Sequence, residues 1–194
     1  MMHLKAIQID QTAPPISWVK TSTQIFLGAL YITLLSQIEI PLQPIPVTMQ
    51  TFAIFSLALF QGSKNSSFSV ALYLFAATLG LPVLSPGYVN PLWFLAPSAG
   101  YCLSFPLATY VIGKLTEIKS PLSTGSMFIA MCSVQCLIYV MGVAWLTTFV
   151  GFKEALMMGV YPFVLFDAIK VMAALSVKMA AKYANHDLHL FIRR

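Results

Sequence analysis

Hydrophobic positions dominate this chain, and polar ones interrupt it at intervals that read as helix ends. No charged residue lies between Lys20 and Glu39, between Glu39 and Lys64, between Lys64 and Lys114, or between Lys119 and Lys153. A helix needs about 20 apolar residues to cross a bilayer. The first, second and fourth intervals each hold one such helix, and the third, 65–113, must hold two. A last apolar stretch, Ala155 to Val177, supplies a sixth. The spans expected are Trp18–Ile38, Pro46–Gly62, Ser66–Gly80, Ser98–Leu115, Gly125–Val150 and Val160–Ala181. The fold class expected is an all-α integral membrane protein. Residues 1–17 form an N-terminal cytoplasmic segment, 18–182 a single six-helix domain and 183–194 a basic cytoplasmic tail.

Composition agrees. Charged residues make up 9% of the 194, hydrophobic ones 58%, and the mean hydropathy is +0.80. Soluble domains carry roughly 25% charged residues. The net charge of +5 reads as topology rather than as a nucleic-acid surface. With the N-terminus inside, Lys5, Lys20, Lys64, Lys114, Lys119, Lys178, Lys182, Arg193 and Arg194 fall on the inner side, Lys153 outside and Lys170 within the membrane. Those nine, one and one account for all 11 basic residues, as the positive-inside rule requires. An even span number puts both termini in the cytoplasm. Met1 to Pro15 has no apolar core before a small-residue cleavage site, so the first helix is expected to act as its own insertion signal.

The strongest chemical feature is the pair Asp167 and Lys170 inside the last apolar stretch. A charge at the centre of a spanning helix costs about 2.5–3.5 kcal/mol on insertion scales. Spacing of i and i+3 puts both on one helix face, within pairing reach. That points to a polar pocket; the plainer alternative is a buried ion pair that only locks helix packing. Two further regions strain the helix pattern. Leu81–Pro97 carries Pro82, Pro86, Pro91 and Pro97 with Tyr88, Leu92, Trp93, Phe94 and Leu95, and no charge. Irregular backbone at membrane depth persists only where protein buries it or a cavity adjoins it. The expected arrangement is a lid folded over a pocket on the outer side. Pro41, Pro44 and Pro46 hold an extended outer entry, after which Thr48 and Gln50 open the second helix. Gln50 can donate and accept within the bundle, as a ligand contact or as interhelical glue.

The catalytic alternatives lack parts. His3, His186 and His189 lie near the termini, and no paired intramembrane carboxylates or Cys–His arrangement appear, so no base or metal site is expected. Cys102, Cys132 and Cys136 read as small packing residues. No Gly-x-x-x-x-Gly-Lys-Ser/Thr loop occurs, so energy from ATP would need another subunit.

With these residues laid out, the chain resembles the BioY family, the biotin-specific S components of energy-coupling factor (ECF) transporters. Ile40–Thr51 resembles the family's proline-rich entry to helix two. Gly80-Leu81-Pro82-Val83 resembles the end of helix three, and Ala96-Pro97-Ser98-Ala99-Gly100-Tyr101 a GPTGGY-type turn. Gly142-Val143-Ala144-Trp145-Leu146 is similar to helix five. Gly159-Val160-Tyr161-Pro162-Phe163, followed by Asp167 and Lys170, is similar to helix six. Ala96, Ser98 and Ala99 depart from that turn, and SPGYVNPLWF replaces a glycine-rich stretch, which stiffens the lid. The resemblance implies an S-component-like bundle in the cytoplasmic membrane that captures biotin from outside. It implies no cofactor and no enzymatic activity, and it implies a membrane T component and two ATPase subunits as partners. Substrate contacts are then expected from Asp167, Lys170, Asn90, Gln50, Tyr88 and Trp93, with Phe94 beside them. The ligand carboxylate would meet Lys153, a hydroxyl, backbone N–H groups or water. Partner docking is expected through small residues on helix one, nearest in Ala29 and Thr33. The alternatives are an S component for another vitamin, a membrane-embedded enzyme or a channel.

Overall fold

The computed structural model describes residues 15–86, 89–120 and 122–192. Most of the expected N-terminal segment, Tyr88, Arg193 and Arg194 lie outside the described residues. The elements in order are α1 (Pro15–Ser36), β1 (Glu39–Ile40), β2 (Val47–Thr48), α2 (Gln50–Thr78), a 3-10 turn (Trp93–Leu95), α3 (Ala99–Thr116), α4 (Thr124–Leu146), α5 (Phe152–Gly159) and α6 (Tyr161–Ile192).

The continuous element α2 is two helices. Gly62 has φ 73° and ψ −173°, a left-handed backbone that glycine adopts without a Cβ penalty. The chain reverses there, so the arms 50–61 and 63–78 run side by side. Gln50 Nε2 donates to Tyr73 Oη at 2.8 Å, a contact impossible along one straight helix at 1.5 Å rise per residue. Glu117, just after α3, serves the new helix start. Its Oε1 accepts from Ser63 N at 2.7 Å and Ser63 Oγ at 2.8 Å, satisfying a donor that the first turn cannot pair internally. Gly113 of α3 abuts the same turn. A Cβ there would meet the Ser63 backbone, with the Gly62 carbonyl carbon 2.6 Å away.

The proline-rich entry is a minimal hairpin rather than a simple extended lead. β1 and β2 pair antiparallel, Glu39 opposite Thr48 and Ile40 opposite Val47, and 41–46 form the connection. Prolines 41, 44 and 46 fit this because none has an N–H to leave unpaired. The helix therefore begins at Gln50, four residues after the expected Pro46. Thr48 Oγ1, just ahead of the helix, accepts from Gln50 N at 3.2 Å, one of the first-turn N–H groups without an intrahelical partner. The short α5 was not anticipated; Val160 alone separates it from α6, whose second residue is Pro162, favoured at a first turn. On α6, Phe163, Asp167, Lys170, Val171 and Ala174 are buried, a stripe at i, i+3, i+4 spacing. The helix continues past the expected end at Ala181.

α6 is pinned to the first arm of α2 at two levels. Lys170 Nζ donates to Thr51 Oγ1 at 3.1 Å, and Lys178 Nζ donates to the Leu59 carbonyl at 2.6 Å. Both pins advance eight residues on each helix, so the two run parallel in matched register. Among the described residues, two helical segments, Thr124–Leu146 and Phe152–Ala184, are long and apolar enough to cross a membrane. Large apolar side chains also face outward on every long helix, among them Phe26, Leu34, Phe60, Phe75, Leu103, Val140 and Leu165. Soluble monomers rarely expose such continuous apolar surface; a lipid surround accounts for it.

Candidate functional site

A cavity of about 480 Å³ lies between the β-hairpin, the 81–98 loop and α2, α3, α4 and α6. Drug-sized ligands occupy cavities of about 300–1,000 Å³. Its buried end is built from side chains of three helices. Asp167 is 2% exposed and Lys170 6% exposed, and Lys170 Nζ donates to Asp167 Oδ1 at 2.8 Å. The expected pairing across one helical turn is therefore present.

The carboxylate has more partners than the sequence disclosed. Thr51 Oγ1 donates to Oδ1 at 3.0 Å. On the other oxygen, Gln135 Nε2 donates to Oδ2 at 2.9 Å and Tyr139 Oη at 2.7 Å. Four donors surround one buried anion, and the cost of burying it is met by charge-assisted hydrogen bonds. Thr51, Gln135 and Tyr139 were missed as site residues. A signal existed for two of them: α4 is uncharged, and Gln135 and Tyr139 stand at i and i+4 on one face of it. Lys170 makes two hydrogen bonds among the described residues, to Asp167 and Thr51, and an ammonium has three donors. Two buried acceptors on cavity-lining residues meet no donor among the described residues, Gln135 Oε1 and Glu39 Oε2.

The 81–98 loop, expected as a lid, is fastened at four carbonyl or ring positions. Ser36 Oγ donates to the Val83 carbonyl. Gln50 Nε2, besides holding Tyr73, donates to the Leu84 carbonyl at 2.6 Å. Trp93 Nε1 donates to Thr78 Oγ1 at 3.1 Å, and Trp145 Nε1 to the Ala96 carbonyl at 2.9 Å. Gln50 thus lines the cavity while both its N–H groups secure neighbours. Trp93 is buried and lines the cavity. Opposite the loop, Tyr101 and Phe163 stack with ring centroids 6.4 Å apart, and Tyr101 Oη donates to the Gly159 carbonyl at 2.9 Å. These two rings, not anticipated as wall residues, supply an apolar face.

Other expected residues sit elsewhere. Asn90 is not part of the cavity lining; its Oδ1 accepts from Leu92 N at 3.0 Å and its carbonyl from Trp93 N, shaping the turn before the 3-10 segment. Phe94 packs edge-on to Trp93 with centroids 6.1 Å apart, also off the lining. Lys153 is exposed on α5, away from this cavity. Ala29 is buried in the core of the chain itself, and Thr33 Oγ1 donates to the Ala29 carbonyl.

Comparison with known proteins is consistent across sequence and fold. The sequence model described as "BioY family" matches residues 6–186. A "Probable biotin transporter BioY" of Pyrococcus horikoshii is 32% identical over 157 residues, covering 79% of this chain and 93% of that protein. The "Biotin transporter BioY" of Thermotoga maritima is 34% identical over 146 residues, covering 75% and 85%. In fold, the chain resembles the crystal structure of the S-component for biotin from an ECF-type ABC transporter, with a TM-score of 0.76 and 24% identity over 87% of this chain and 94% of that one.

Proposed function

The chain belongs to the BioY family, and from that membership we propose that it captures biotin for uptake as the substrate-binding subunit of an ECF-type transporter. It is a membrane protein whose task is transport, not catalysis. The observation that carries the binding site is the buried Asp167–Lys170 pair with Thr51, Gln135 and Tyr139 at the closed end of a ligand-sized cavity.

Biotin has a ureido ring with two N–H donors and one carbonyl, an apolar thioether ring and arm, and a carboxylate. The third Lys170 N–H suits the ureido carbonyl. Tyr101, Phe163 and Trp93 suit the apolar ring. Asp167, already accepting from four donors, acts chiefly by holding its neighbours. The lid faces outward and both termini lie in the cytoplasm of a six-span bundle in the cytoplasmic membrane. Asn90 and Tyr88, from the same loop, are the further ligand contacts this reading expects. Energising needs a membrane T component and two ATPase subunits, docked on α1 beside Ala29 and Thr33.

The test is a titration of the purified protein with biotin, beside Asp167→Asn and Lys170→Ala. Saturable tight binding that both variants lose is expected. Absence of binding by the unmodified protein, or normal binding by both folded variants, rejects the reading.

A further inference from the structure

Gln135 is 5% exposed, lines the cavity and has its amide nitrogen hydrogen-bonded to Asp167 Oδ2. That bond fixes which way the amide faces. An ionised carboxylate only accepts hydrogen bonds, so the nitrogen must point to Asp167 Oδ2, 2.9 Å away. The oxygen is then turned away from Asp167, and no donor among the described residues meets it. A buried acceptor without a donor is costly, and gains correspondingly from one that arrives.

We propose that Gln135 Oε1 is the acceptor that reads a ureido N–H of the substrate. Asp167 is then a positioning residue, which acts through Gln135 and Lys170 rather than by touching the ring. This rests on the biotin reading and deepens it. The division of labour follows from valence. Asp167 has its four donors within 3.0 Å, so a direct ligand contact would have to displace one. Gln135 offers a lone pair that costs nothing to use. It also gives the site a chemical filter. A pocket built to hydrogen-bond an N–H discriminates strongly against an analogue lacking it.

The experiment pairs Gln135→Met, which keeps length and removes both amide groups, with biotin methylated at one ureido nitrogen or the other. The unmodified protein should bind biotin more tightly than one of the two methylated forms by on the order of tenfold to a hundredfold. Gln135→Met should weaken biotin by a similar factor and lose that preference. Loss of affinity with the preference retained would overturn the proposal, because Gln135 would then matter only to packing. A crystal structure of the unmodified protein with biotin serves where the variant does not fold: Gln135 Oε1 within hydrogen-bond distance of a ring nitrogen supports the assignment, and a longer separation overturns it. No binding of biotin by the unmodified protein rejects the transport reading and this one together. Normal biotin binding without a methyl effect rejects this one alone.

Discussion

Thr51 Oγ1 stands 3.0 Å from Asp167 Oδ1 across 116 positions of sequence, giving its proton to the carboxylate while accepting from Lys170. One hydroxyl thereby completes the charge pair. Thr51→Val keeps the shape and removes both bonds. Loss of a buried hydrogen-bond partner costs about 1–3 kcal/mol, so biotin affinity should fall by about five- to a hundredfold, with Thr51→Ser near the original value. Calorimetric titration of the three proteins checks this.

Removing one member of the buried pair should destabilise the fold by about 3–5 kcal/mol, while replacing both with apolar residues can be neutral. Lys170→Met should therefore lower the unfolding midpoint in detergent. Asp167→Leu with Lys170→Met should recover much of it, yet bind no biotin. Recovery of binding in the double variant would mark the pair as packing alone.

Charge on the cavity lining comes from Glu39, Asp167 and Lys170. Two carboxylates against one ammonium do not favour an anionic ligand tail. Biotin amide should accordingly bind within a few-fold of biotin, and Glu39→Gln should raise the affinity for biotin while leaving the amide unchanged. Competition binding with both compounds decides it.

Glu117 lies beyond the end of α3, where hydrogen bonds from the Ser63 backbone and hydroxyl and then from Lys114 hold its carboxyl down at about 2, against an ordinary 4.5. A lowered folded value contributes stability that is present in full above 4.5 and is lost as pH falls towards 2. The difference in unfolding midpoint between the unmodified protein and Glu117→Gln should thus be largest above pH 5 and shrink between pH 4.5 and 2. A difference independent of pH would contradict it.

Gly113→Ala should destabilise by about 1–3 kcal/mol, as overpacking does, because the added methyl meets the backbone of Ser63. Thermal unfolding of the variant provides the measurement.

Helix limits were largely legible because charges and breakers mark them. Gln61, Gly62, Ser63, Lys64 and Asn65 interrupt an apolar run, and the reversal falls at Gly62. Ser98–Leu115 was expected where Ala99–Thr116 forms. The pair Asp167–Lys170 was legible because charge is conspicuous in an apolar helix. Thr51, Gln135 and Tyr139 were not, since hydroxyls and amides are common in membrane helices and only tertiary packing brings α2, α4 and α6 onto one carboxylate. Asn90 was expected at the ligand from sequence; in the structure its side chain accepts from Leu92 N within the local turn, off the cavity lining. Short α5 escaped because its eight residues merge with the apolar run that follows.

The paired pins Thr51–Lys170 and Leu59–Lys178 have a mechanical result. Two struts fastened at matched heights resist both sliding and splaying, so that wall behaves as a fixed jamb. The prediction is that ligand exchange moves the other side, where hydrogen bonds of Gln50, Trp93 and Trp145 hold the loop. A covalent cross-link between the first arm of α2 and α6 should leave biotin exchange intact, whereas one tethering the loop to α4 should arrest it.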